Sequence, residues 1–103
     1  MKELETISEA IERLNAQGYL DDFRAFQGSL KSASTQKIFR PEDLVVDEIF
    51  RFEGTTDLSD EAVVFALRDQ KSGLRGTFTV AYGPEMDLLD SELVERLQKL
   101  KRR

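Results

Sequence analysis

Three runs of residues typical of β-strands lie between residues 40 and 82, and they constrain the fold more than any other feature. The runs are VVDEIFRFEG, EAVVFALRD and GTFTVAYG, and charged, turn-forming residues separate them. The middle run is apolar from Ala62 to Leu67, which is typical of a central strand covered on both sides. Three such runs in succession predict a mostly antiparallel meander sheet.

Capped helical patterns flank these strands. Thr6 and Glu9 have the spacing of a capping box, and Gly18 suits the position after a helix end. Asp90 or Ser91 is predicted to cap a C-terminal helix. The apolar stripes that the two helices would bury are Ile7, Ala10, Ile11 and Leu14 in the first and Leu93, Val94, Leu97 and Leu100 in the second.

The segment from residue 20 to 40 has weaker signals. Phe23 and Phe26 favour a short edge strand, which a turn at Gly28 and Ser29 would join to a second short strand over residues 30–34. Pro41 is expected to open a turn or a one-turn helix through Glu42 and Asp43.

Together these patterns predict a single α+β domain over residues 1–103. The N-terminal helix, a sheet of about four or five strands and the C-terminal helix follow in that order. Both helices are predicted to pack on one face of the sheet, which carries Phe50, Phe52, Phe65 and Phe78. The other face, which carries Val64 beside Thr77, Thr79 and Ala81, would have no helix over it and is expected to meet either a second copy of the chain or the segment of residues 20–40.

Composition excludes several classes of function. The chain contains no histidine and no cysteine, so it has no serine–histidine triad, imidazole ligand, thiolate zinc site or disulfide. Its net charge of −5 argues against nucleic acid. It has no apolar run long enough to span a membrane and no apolar core of a signal peptide, so a cytoplasmic protein without cofactors is expected.

Acidic residues cluster around the loop that follows the first main strand. Glu53, Asp57, Asp60 and Glu61 carry the oxygen ligands that hard cations prefer, although their spacing does not match an EF-hand. A solvated acidic loop is the alternative interpretation. Arg51, Glu53 and Asp57 form the candidate ligand-binding group, and no residue is predicted to be catalytic.

Residues 41–44 (PEDL), 51–57 (RFEGTTD) and 81–83 (AYG) resemble a family of small bacterial proteins. The resemblance extends over nearly the whole chain, and members are often labelled phosphoribosylpyrophosphate synthetase. It implies a small bacterial α+β domain without implying a reaction, because the synthetase of that name uses a catalytic histidine that this chain lacks.

The pattern of residues therefore predicts a non-enzymatic binding or regulatory module. The alternative is a metal-, phosphoribosyl- or nucleotide-responsive protein or enzyme that uses the region of Arg51, Glu53 and Asp57. The expected partner is a second copy of the chain or another protein.

Overall fold

The computed structural model of the chain describes residues 6–52, 62–81 and 87–101. Within these ranges the chain forms two α-helices, α1 (Ile7–Ala16) and α2 (Leu88–Lys101), and a one-turn 3-10 helix, Pro41–Asp43. The strands are β1 (Asp21–Phe26), β2 (Ser29–Ser32), β3 (Ile38–Phe39), β4 (Val45–Phe52), β5 (Ala62–Arg68) and β6 (Arg75–Ala81). Neither helix in this described part of the chain is long and apolar enough to cross a membrane.

The strands form one mixed sheet in the order β3-β2-β1-β6-β5-β4. Neighbouring strands are antiparallel except β1 and β6, which run parallel. The predicted α+β class is confirmed, with more strands than the expected four or five. The sheet therefore consists of two antiparallel meanders, β1 to β3 and β4 to β6, which the parallel pair of β1 and β6 joins.

The predicted boundaries of α1 are confirmed by its caps. The Thr6 hydroxyl accepts the Glu9 N–H at 3.1 Å, and the Glu9 carboxylate accepts the Thr6 N–H at 3.0 Å. Gly18 has a φ of +103°, which a residue without a side chain adopts at little cost. The chain then turns back, so that Tyr19 donates its N–H to the Leu14 carbonyl at 3.0 Å.

Helix α2 begins earlier than the sequence predicted. Its first residue is Leu88, whereas a cap at Asp90 or Ser91 would place the start at least three residues later. The Asp87 carbonyl accepts the Ser91 N–H at 2.9 Å, which closes the first turn. Several acceptable capping residues occur in succession here, so the sequence did not distinguish among them.

The two helices lie on opposite faces of the sheet, so the prediction that they share a face is wrong. Strand β5 shows this directly, because Val63, Phe65 and Leu67 belong to the core that α2 covers. Val64 and Ala66 of the same strand pack with residues of α1 and with Tyr19. A strand that is apolar at every position needs cover on both of its faces.

The position of Phe50 and Phe52 is the second correction. The register pairs Ile49 with Phe65 and Phe50 with Val64, and paired residues share a face. Phe50 and Phe52 therefore pack on the α1 face, opposite the stacked rings of Phe65 and Phe78. Alternation within one strand groups its residues by face, but it does not tell which face of the neighbouring strand they adjoin.

Strand β1 is internal to the sheet, whereas the sequence predicted a short edge strand. The turn after it lies one residue earlier than predicted, because Ser29 already belongs to β2. It is a two-residue hairpin, in which Gln27 and Gly28 have φ values of +52° and +83°. The ring of Phe23 meets that of Phe39 edge to face at 6.0 Å on the α2 side. Helix α1 covers Val64, so neither a second copy of the chain nor the segment of residues 20–40 is needed to cover that face of the sheet.

Candidate functional site

The predicted ligand-binding and metal-binding groups lie largely outside the described residues. Arg51 is exposed near the end of β4, opposite Val63, whereas Glu53, Asp57, Asp60 and Glu61 lie in the range 53–61 that is not described. Within the described ranges, no three acidic side chains come close enough together to hold a metal ion. The acidic-loop site therefore stays a prediction.

A crevice in the sheet is the most distinctive feature among the described residues. The parallel ladder between β1 and β6 contains two residue pairs, Asp21 with Gly76 and Asp22 with Thr77. Both strands continue for four more residues, to Phe26 and Ala81, but their register with each other ends there. The carboxyl-terminal halves of two neighbouring parallel strands thus stand beside an opening in the sheet.

The backbone of β6 presents hydrogen-bonding groups to this opening. The Asp69 N–H donates to the Leu74 carbonyl at 2.8 Å, which fixes the alternation of the β5–β6 ladder. In an antiparallel pair, residues alternately face towards and away from the partner strand. The N–H and C=O groups of Thr79 and Ala81 accordingly point away from β5 and towards the opening.

The backbone of β1 also presents hydrogen-bonding groups to the opening, from the side opposite β6. The Ala33 N–H donates to the Asp22 carbonyl at 2.9 Å, so Asp22 faces β2. By the same alternation, the N–H and C=O of Ala25 point towards β6. The two walls of the opening therefore both carry main-chain donors and acceptors.

The opening has the volume and lining of a ligand site. It is a cleft of about 630 Å³, bounded by residues 22–25 of β1, residues 78–81 of β6, and Asp87 and Asp90 at the start of α2. Ligand sites in proteins commonly measure about 300–1,000 Å³. Ligands of open α/β sheets also bind beyond the carboxyl ends of parallel strands whose chains leave in different directions. Here β1 turns into β2, while β6 leads towards α2.

The closed end of the crevice depends on a glycine. A Cβ atom on Gly76 would lie 2.5 Å from the Asp21 carbonyl oxygen and 2.8 Å from the ring of Phe23. Both distances are shorter than non-bonded carbon contacts allow. Glycine at this position therefore lets β1 and β6 approach each other at one end, next to the opening at the other.

A buried carboxylate also fixes the closed end. Asp21 accepts hydrogen bonds from the Ser32 hydroxyl, from the Asp22 N–H at 2.8 Å and from the Ser34 N–H at 3.1 Å. Burial raises the pKa of Asp21, but these hydrogen bonds lower it more, so the pKa lies below its ordinary value. The carboxylate ties β1 to β2 and to the following turn.

A second carboxylate connects the end of α1 to the sheet. A β-bulge between Val46 and Glu48 lies at Asp47, which accepts the Tyr19 hydroxyl at 2.6 Å and two Arg68 N–H groups at 3.0 and 3.1 Å. Burial raises the pKa of Asp47, and the hydrogen bonds from Arg68 and Tyr19 lower it further than burial raises it. Burial and the bond to Asp47 raise the pKa of Tyr19. Because the Asp47 carboxylate accepts three hydrogen bonds, its role is to hold Tyr19 and Arg68 in position rather than to act as a base.

A second cleft, of about 690 Å³, lies between residues 37–45 and the turn at residues 69–72. It is lined by three cations and three acids, namely Lys37, Arg40, Lys71, Glu42, Asp43 and Asp69. Arg40 pairs with Asp43 at 3.3 Å, and the Ser72 hydroxyl donates to Asp69 at 2.7 Å. The lining thus carries equal numbers of cations and acids, of which Glu42 also pairs with Arg96 of α2.

Sequence reasoning missed the crevice because it depends on a pairing between strands that are 55 positions apart. One signal was present, since Thr77, Thr79 and Ala81 were predicted to share the face that no helix covers. Thr79 and Ala81 are indeed exposed, whereas Thr77 is buried. The alternation along β6 indicated which side chains share a face of the sheet, but it did not indicate that β1 would lie beside that strand.

Comparison with protein-family models, with curated proteins and with solved structures gives no match for this chain. The site is therefore interpreted from its own geometry.

Proposed function

We propose that this protein is a non-enzymatic binding module that holds an extended peptide segment of a partner protein in the crevice between β1 and β6. The observation that carries the proposal is the interrupted ladder. The two strands pair over two residues, and their remaining residues line a cleft with main-chain donors and acceptors.

An extended peptide is the ligand that best matches such walls. Its N–H and C=O groups alternate along its length with the same repeat as those of Thr79 and Ala81, so it can join β6 as an added strand. Main-chain hydrogen bonds would supply affinity, and side chains would reach either face of the sheet. Small organic molecules seldom offer donors and acceptors in such a row.

The hydrogen bonding of two carboxylates, one buried and one partly buried, supports binding rather than proton transfer. Asp21 and Asp47 each accept three hydrogen bonds, and each has a pKa below its ordinary value. A general base near neutral pH needs a pKa close to that pH and a free lone pair aimed at its substrate. Neither carboxylate meets these conditions.

The test is selection of extended peptides from a displayed library on three forms of the protein. Thr79→Pro removes the N–H that faces the crevice, while the β5 ladder keeps its own bonds. Thr79→Val is the matched control, because it removes the hydroxyl but keeps the N–H. Peptides should bind wild type and Thr79→Val and should lose binding to Thr79→Pro.

Amide NMR on the wild-type protein provides a check that needs no variant. A selected peptide should shift the amide signals of Ala25, Thr79 and Ala81 more than those of β4. If no peptide is selected, or if peptides bind Thr79→Pro equally well and shift signals elsewhere, the proposal is wrong.

The alternative function concerns the region of Arg51, Glu53 and Asp57. Arg51 is exposed at the end of β4, where a ligand could reach it. A metal-, phosphoribosyl- or nucleotide-responsive protein should be stabilised by its ligand, so its melting temperature should rise with magnesium, calcium, ATP or phosphoribosyl pyrophosphate. An unchanged melting temperature under all four conditions would remove this alternative. A bacterial source and a cytoplasmic location stay predictions.

A further inference from the structure

The side chains at the crevice carry an uneven charge. Asp22, Asp87 and Asp90 line it, and Arg24 is the cation among the described lining residues. Arg24 already pairs with Asp22 at 3.1 Å. In the described part of the chain, Asp87 and Asp90 have no ion-pair partner, so two uncompensated carboxylates stand at one end of the cleft.

The start of α2 offsets only part of this charge. A helix N-terminus carries a partial positive charge of roughly half a unit, and Asp87 and Asp90 both lie there. Carboxylates at a helix start are common for this reason, and alone they would indicate no ligand. Here they also border the backbone edge of β6, to which an added strand would bind.

Exposed apolar side chains lie near the same end. Leu88 and Leu89 of α2 are 70% and 47% exposed, and Phe26 at the end of β1 is 37% exposed. The turn after β1 approaches α2, since a Cβ on Gly28 would lie 3.9 Å from Leu89 Cδ2. Lysine and arginine have apolar stems and charged ends, so they suit a surface on which apolar groups and carboxylates adjoin.

We infer that the peptide segment bound in the crevice carries a lysine or arginine whose charged end meets Asp87 and Asp90. The inference rests on the proposed function, because strand addition along β6 is what brings a partner's side chains to this end. The preferred partner is thus a protein with a basic, extended segment. A second copy of this chain is the competing occupant, because its own α2 ends in Lys99 and Lys101 and is followed by two arginines.

The test compares three synthetic peptides of identical length. Each is a capped seven-residue peptide in which four valines alternate with three variable positions, filled by lysine, glutamine or glutamate. Binding is measured by fluorescence anisotropy at low and high salt. The lysine peptide should bind about fivefold more tightly than the glutamine peptide at low salt, and the preference should shrink as salt screens the carboxylates.

The double variant Asp87→Asn/Asp90→Asn should bind the lysine and glutamine peptides equally. The matched control is Glu12→Gln/Glu95→Gln, which removes two exposed carboxylates away from the crevice and so changes the net charge by the same amount. It should keep the fivefold preference. The same peptides are also measured on Thr79→Pro, which should bind none of them.

The outcomes separate the two proposals. If wild type binds all three peptides equally and Thr79→Pro binds none, the crevice takes peptides but the charge inference is wrong. If the double variant keeps the lysine preference, or if Thr79→Pro still binds the lysine peptide, the carboxylates do not select a bound strand. If no peptide binds, both proposals fail. If wild type sediments as a dimer that Asp87→Asn/Asp90→Asn dissociates, the occupant is a second copy and the peptide partner is excluded.

Discussion

The two sides of β6 differ sharply. Towards β5, the strand forms seven residue pairs, from Arg75 to Ala81. Towards β1, it forms two, which end at Thr77. Thr77 is buried, whereas Thr79, the next residue on the same face, is exposed. On the α1 face, the cover of β6 thus ends close to the point where its pairing with β1 ends, although Phe78 stays buried on the α2 face.

The largest expected effect concerns the fully paired side. Phe65 is completely buried on β5 and stacks on Phe78 at 5.8 Å between ring centres. We expect Phe65→Ala to lower the free energy of unfolding by about 3–5 kcal/mol, because it leaves a cavity in the main core. Urea denaturation measures this change. The control is Phe26→Ala, on the exposed part of β1, which should cost far less. Equal costs would contradict the comparison between the two sides.

The next effect concerns the closed end of the crevice. Gly76→Ala places a methyl group against the Asp21 backbone, and overpacking of this kind typically costs about 1–3 kcal/mol. Gly73→Ala is the comparison, because Gly73 has a φ of +79° but open space around it. Its cost arises from backbone strain alone, about 1–2 kcal/mol. Amide shifts at Asp22 and Thr77 should change in Gly76→Ala only. Unchanged amide shifts at Asp22 and Thr77 would show that β1 and β6 are not in close contact at Gly76.

Acid should weaken both carboxylate networks. The pKa values of Asp21 and Asp47 are lower in the folded chain than their ordinary value of about 3.9, so the unfolded chain binds protons more readily. The stabilisation is present above that value and is lost as the pH falls through the lower pKa of the folded state. Denaturation as a function of pH should show this loss, and Asp21→Asn and Asp47→Asn should each reduce its slope. A slope unchanged in both variants would mean that neither network contributes.

The smallest expected effect concerns the N-terminal cap of α1, the helix that covers one face of the sheet. Thr6→Ala removes the hydroxyl that caps α1 and should cost about 1 kcal/mol, whereas Thr6→Ser should retain most of the stability. Hydrogen exchange sharpens the comparison. If α1 maintains the short ladder, exchange in Thr6→Ala should speed up more at Thr77 than at Phe65. The same acceleration at both residues would show that the two sides of β6 unfold together.

Local signals in the sequence predicted much of this fold. Thr6, Glu9 and Gly18 mark the ends of α1 through contacts within a few residues, and Pro41 starts the expected one-turn helix. The three main strands also lie within a residue or two of their predicted bounds. Each of these features depends on neighbours in the chain, which is why the sequence alone could reveal them.

Features that depend on distant residues were not predicted. The face on which Phe50 lies is set by its pairing with Val64, and the place of β1 is set by its contact with Gly76. For the candidate site, alternation along β6 placed Thr79 on the face opposite Phe78, but it did not indicate that β1 forms the other wall of the crevice. Shifting one strand by two residues against its neighbour leaves the same side chains on the same face of the sheet. The hydrophobic alternation therefore fits several registers and does not identify the correct one.

The place of β1 in the sheet also has a consequence for the order of folding. The strand pairs with β6, which follows it by 55 positions, whereas β4, β5 and β6 pair with their neighbours in sequence. Long-range pairing is slow because the intervening chain must first lose entropy. We expect pulse-labelled hydrogen exchange during refolding to protect β5 before Asp21. During synthesis, the first three strands are made well before β6, so Phe23 and Phe39 would have to wait for the rest of their core.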